Sequence, residues 1–252
     1  MIHWFSDRVK DSVIKIVRDI DELAGAVLAT LRDRAISTIR DIRSIADEMG
    51  QATTSVASMT IRMVHELGGD AVAKSADLVG NTINTAHATT QGALKALGAT
   101  VAGVLAAVEE VKADVDKAIV SIVQSVVRNT VGIGGNVASA VFETVRSTVT
   151  GLTGTSVEIS HSVETAISTA MKSAADTGAD VASVAVGAVN GALKAVETVG
   201  GSMTRTLTTS VNMALDTAAS LGTDTAAKVR EALIRSVHGA QEVIERREHP
   251  EK

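Results

Sequence analysis

The chain has 252 residues and a formal net charge of −5, with one Trp, two Phe, no Tyr, no Cys and a single proline, Pro250. So few aromatic residues remove the usual bulk of a globular core, and without cysteine there is neither a disulfide nor a thiolate site. Acidic and basic residues are spread along the whole length, so no concentrated basic face exists for nucleic acid.

From the N-terminus, residues 1–20 carry Asp7, Arg8, Lys10, Asp11, Lys15, Arg18 and Asp19, which excludes the apolar h-region of a secretory signal. Trp4 and Phe5 are read as part of the first repeat. A cytoplasmic protein is expected, peripheral on a membrane, droplet or granule if it meets one. No stretch of transmembrane quality is read in the chain, because its uncharged runs are broken by Gly and polar residues.

One period runs through the chain from end to end. Numbered modulo 11, the large apolar residues concentrate in remainders 1, 2, 5, 6 and 9; remainder 9 alone holds Leu97, Val108, Ile119, Val141, Leu152, Val163, Val196, Leu207 and Val229. At 100° per residue these classes span about 140° of one helix face, the stripe an amphipathic helix buries. Up to Ile244 the charges avoid it, save Arg34, Lys112 and Asp116. A basic row (Arg62, Lys95, Lys117, Arg128, Lys172, Lys194, Arg205) and an acidic row (Glu66, Asp77, Glu110, Glu143, Asp176, Glu231, Glu242) lie opposite.

A doubled period overlies the first. Large residues recur every 22 positions at Val79, Val101, Val123, Val145, Ile167, Val189, Val211 and Leu233, while Thr90, Lys112, Gly134, Ser156, Gly178, Gly200 and Gly222 stand midway. Together with Leu105, Val108, Val126 and Leu193, the large residues form the expected partner-facing stripe. The small ones, Gly134, Gly178, Gly200 and Gly222, are expected to be holes where a neighbouring helix packs closely. Gly92-Ala-Leu-Lys-Ala96 returns as Gly191-Ala-Leu-Lys-Ala195, a mark of internal duplication.

The fold class expected is all-α: one very long or a few long amphipathic helices in an in-phase 11-residue repeat over residues 1–244, with a right-handed coiled-coil tendency. Residues 132–136, Gly-Ile-Gly-Gly-Asn, are the best candidate joint. Because the phase is the same on both sides, helix is expected to pass through them. Residues 245–252 read as a charged, solvated tail.

No site chemistry is expected. The histidines are scattered without metal-ligand spacing, Gly132-Ile-Gly-Gly lacks the Lys-Ser/Thr of a phosphate loop, and Glu109-Glu110 sit in water. The chain is therefore expected to be a non-enzymatic structural protein with no cofactor.

Its 11- and 22-residue periods and its Val/Thr/Ala/Gly-rich face resemble the amphipathic repeats of perilipins, apolipoproteins and synucleins, and its general habit is similar to granule-coating phasins. The resemblance covers nearly the whole chain as a pattern, without a family-specific motif. It implies a helix lying in the plane of a lipid droplet, polymer granule or membrane interface. Those repeats put Lys at the stripe edge, whereas here the basic row lies on the far side. The alternative partner is the chain itself, in a right-handed coiled-coil bundle or filament, since remainders 2, 5, 6 and 9 have core spacing and alternating Val and Gly suits a neighbouring helix. A spacer whose length is its function is a third reading.

Overall fold

The computed structural model describes residues 42–86 and 91–249, in ten helices with no strand among them. They are α1 (Ile42–Glu66), α2 (Ala71–Ala86), α3 (Gln91–Glu110), α4 (Val115–Gly132), α5 (Val137–Leu152), α6 (Ile159–Thr177), α7 (Val181–Val199), α8 (Met203–Leu221), α9 (Thr223–Ser236) and α10 (Ala240–Glu248). The chain divides into two compact units, Met1–Met49 and Gly50–Lys252, and the second contains the helical stack. The readings of residues 1–20, Trp4, Phe5, Thr90 and Pro250 fall outside the described residues.

The all-α class is observed, but the long helix is not. Between residues 91 and 236 each helix is 14 to 20 residues long, the length of one 22-residue unit less its turn. The units end in a recurring way. Gly69 donates its N–H to the Val64 carbonyl at 2.8 Å, Ala113 to Val108 at 3.0 Å, Gly135 to Thr130 at 2.8 Å, Ala179 to Ala174 at 2.9 Å and Gly201 to Val196 at 3.1 Å. Each bond spans five residues and closes a Schellman turn around a left-handed residue: Gly68, Lys112, Gly134, Gly178 and Gly200, at φ between +57° and +78°. Two residues on comes the next N-cap. Asp114, Asn136, Asp180 and Ser202 each accept a backbone N–H of the first turn, and Asp70 does the same for α2.

This corrects the expectation for the midway positions. Gly134, Gly178, Gly200 and Gly222 all have positive φ and nothing near the place a Cβ would take, so they are turn residues and not holes for a packing helix. It also corrects the expectation for 132–136: Ile133 to Asn136 form the link between α4 and α5. The phase survives because turn and helix together make 22 residues, so the repeat is counted across the break.

From α2 onward, successive helices pack against each other, and each also packs on the next but one. The result is two rows, α2, α4, α6, α8, α10 and α3, α5, α7, α9, with α1 joining the second row through Thr54 and Ser58, which donate to the Ala99 and Gly103 carbonyls at 3.1 and 2.8 Å. Within a row neighbours run parallel, as the paired contacts Ala138 with Gly187 and Phe142 with Gly191 require. This is the architecture of a helical-repeat solenoid.

The core lies between the rows. Of the expected stripe, Val79, Val101, Leu105, Val108, Val123, Val126, Val145, Ile167, Val189, Val211 and Leu233 are buried and Leu193 is half-buried. At roughly 1.5–3 kcal/mol per fully buried aliphatic side chain, this stripe drives the folding of the stack. Helix α3 is by length and composition apolar enough to cross a bilayer, yet Leu97, Val101, Val104 and Leu105 within it are fully buried in the chain's own core. The charged C-terminal residues 245–248 are exposed and helical, the end of α10, held by Arg230 to Glu248 at 3.0 Å and by Arg247 to Asp216 at 2.5 Å.

Candidate binding groove

The two rows pack by different means. In the row that begins with α1, a Cβ on Gly103 would stand 2.5 Å from the Thr54 carbonyl oxygen, one on Gly151 2.7 Å from the Ala102 backbone, and ones on Gly187 and Gly191 would overlap the carbonyl oxygens of Ala138 and Phe142. Backbone meets backbone there. The other row has no glycine inside α6, α8 or α10, as α9 has none, and on α2 Gly80 is met by the side chains of Ser125 and Asn129 on α4, where Ser125 donates to the Ala76 carbonyl at 2.9 Å and Asn84 to Asn129 at 3.1 Å.

Interaxial distance follows the side chains at the crossing, about 8 Å for small residues and about 10 Å for large ones. The glycines let helices of that row approach closely. On its face α3, α5, α7 and α9 share one open groove of about 1060 Å³. Its apolar floor includes Leu94, Phe142 and Val186; small residues such as Gly187 deepen it. Phe142 is half-buried, and it is the single aromatic residue among those described.

The groove's charges are balanced: Lys95, Lys228 and Arg235 against Glu143, Asp180 and Glu231. Most have a local partner. Asp180 accepts from the Ser183 hydroxyl at 2.5 Å and from the Ala182 N–H at 3.0 Å, and these bonds, the Ser183 hydroxyl first, hold its carboxyl below the usual carboxylate range. Glu143 pairs with Arg146, whose guanidinium the carboxylate holds above its ordinary value. Arg235 reaches Glu231 at 3.4 Å. A surface of this kind suits shape-directed contact with a polypeptide or another amphipathic face better than capture of a strongly charged ligand.

Among the described residues no three His, Asp or Glu side chains gather to hold a metal ion. His161 faces Asp116 at 3.3 Å on the exposed side of α4 and α6. No protein-family model matches the chain, and no curated protein matches it in sequence.

Most groove residues, Phe142 and Val186 among them, lie outside the apolar classes of the 11-residue pattern, although Leu94 falls in remainder 6. A signal is nonetheless present. Asn136, Ala138 and Ser139 recur as Asp180, Ala182 and Ser183, two units further on, so comparing every second unit picks out the groove face.

Proposed function

We propose that this chain is a non-enzymatic structural scaffold, a helical-repeat stack whose groove across α3, α5, α7 and α9 holds a partner's polypeptide segment. The observation that supports this best is the division of labour in the sequence. The apolar stripe is for the most part buried inside the chain, while residues mostly outside it converge, from four separate helices, on one groove. Extended inner surfaces of solenoids are where such folds make their contacts.

A second reading, self-assembly, draws on Met59, Met63 and Leu67. They succeed one another at four-residue spacing along α1 and its end, at 61%, 38% and 45% exposure, an apolar ridge that a second copy could cover. Coating of lipid or a granule would need the same stripe that the stack buries, and so would require the rows to part.

Circular dichroism, sedimentation velocity over a hundredfold concentration range and flotation with phosphatidylcholine liposomes separate the three. A scaffold is fully helical in buffer, sediments as one species and stays with the bottom fraction. Concentration-dependent growth abolished by Met59→Ser with Met63→Ser marks self-assembly instead. Helix that forms only with liposomes overturns the scaffold reading in favour of a coat.

A further inference from the structure

Within the stack Glu143 is the one charged residue that is buried among those described, at 8% exposure. It sits on α5 where α5 crosses α3, and the space it occupies exists because residue 98 is glycine: a Cβ there would overlap Glu143 Oε1 and approach Ser147 Oγ to 2.7 Å. Arg146, one turn on along the same helix, holds the carboxylate in place, its Nε donating to Oε2 at 3.0 Å. Pair and vacancy belong together. Two units later the place of Gly98 is taken by Phe142 and that of Glu143 by Gly187, so a large residue stands where a small one stood, and a small where a large.

A chain of near-identical 22-residue units faces a difficulty that ordinary domains lack. Every helix carries the same stripe, so α3 could accept α7 in place of α5, or accept α5 displaced by one turn, with little loss of apolar burial. Residues that differ between units must then decide which helix goes where. Arg146 lies on the same helix and moves with Glu143, so the pair itself does not depend on alignment; what depends on it is the fit of the paired carboxylate, too polar to be pressed against an apolar surface, into the space over Gly98. With α5 displaced along α3, Glu143 would leave the Gly98 vacancy and meet a side chain instead.

We infer that Glu143, held by Arg146 and received by Gly98, is a register lock that selects α5 as the neighbour of α3 and sets their alignment. Its role is specificity and not affinity, so it is separable from simple packing by experiment.

The full chain lacks cysteine, and Gln91→Cys with Ser139→Cys places one spin label on each helix, on the groove side. Pulsed electron–electron resonance should give a single narrow distance with Glu143 present. Glu143→Ala should add a second distance, offset by about the 5 Å of one helical turn or more. Should the alanine variant not fold, the equally short Glu143→Ser carries the same expectation. A single unchanged distance in a folded Glu143→Ala or Glu143→Ser protein overturns the lock. In parallel, Gly98→Ala should lower Tm by about 5 °C when Glu143 is present and by less than about 1 °C in the Glu143→Ala background. Equal losses in both backgrounds would equally sink the pairing.

Discussion

The two rows of the stack are built from one repeating unit, yet one packs backbone on backbone through Gly103, Gly151, Gly187 and Gly191 while the other keeps its helices apart with side chains. The difference shows how a repeat protein can pack its two rows by different means without changing its hydrophobic pattern. The stripe is the same in both rows; the residues that set interaxial spacing lie beside it. Removing a single methylene's worth of volume matters in one row, and adding it matters in the other.

The comparison can be broken in both directions. The largest effect is expected from Ile167→Ala on α6 in the row that begins with α2, where a fully buried side chain becomes a cavity; denaturant unfolding should show a loss of about 3–4 kcal/mol. Next is Gly187→Ala on α7 in the glycine row, where one added methyl would strike the Ala138 carbonyl oxygen. A cost of about 2 kcal/mol is expected, with the groove widened. No loss there would mean that the rows do not differ as described.

Turns belong to neither row and should respond alike. Gly178→Ala, at φ +73°, should cost about 1 kcal/mol, and Lys112→Gly, which replaces the one non-glycine left-handed residue among those described (φ +57°), should gain about the same in thermal unfolding. The smallest effect is electrostatic. Asp180 is held below the usual carboxylate range in the folded chain, so its contribution is complete above about pH 4 and fades as pH falls through the lower, folded value. Tm measured from pH 5 to pH 2 should fall less steeply in Asp180→Asn, which keeps the cap but not the charge.

Much of this architecture is written in the sequence, though under a different geometry. The stripe at Val101, Val123, Val145 and Val189 is legible because burial imposes a helical period wherever the buried face lies. Its destination is not, since a period says which side of a helix is covered but not by what. The midway glycines are visible, but their role is not. A small residue at a fixed interval serves close packing and turning equally well, and only the polar residue two places on, Asp114, Asn136, Asp180 or Ser202, tells a helix end from a hole. The groove is the least legible part. Leu94, Phe142 and Val186 come from three helices of one row, and no single helix carries its signature.

The regularity of the turns makes the molecule countable. Deleting residues 181–224 joins Asp180 to Thr225, removes α7 and α8 together, and leaves every remaining helix on its own side. Deleting residues 181–202 alone would send α8, α9 and α10 each across to the opposite row. The longer deletion should therefore yield the better folded protein, which thermal unfolding would detect as the sharper transition. Lineages of such a chain would then gain or lose helices in pairs, and the reach of the groove would be set by how many pairs are present.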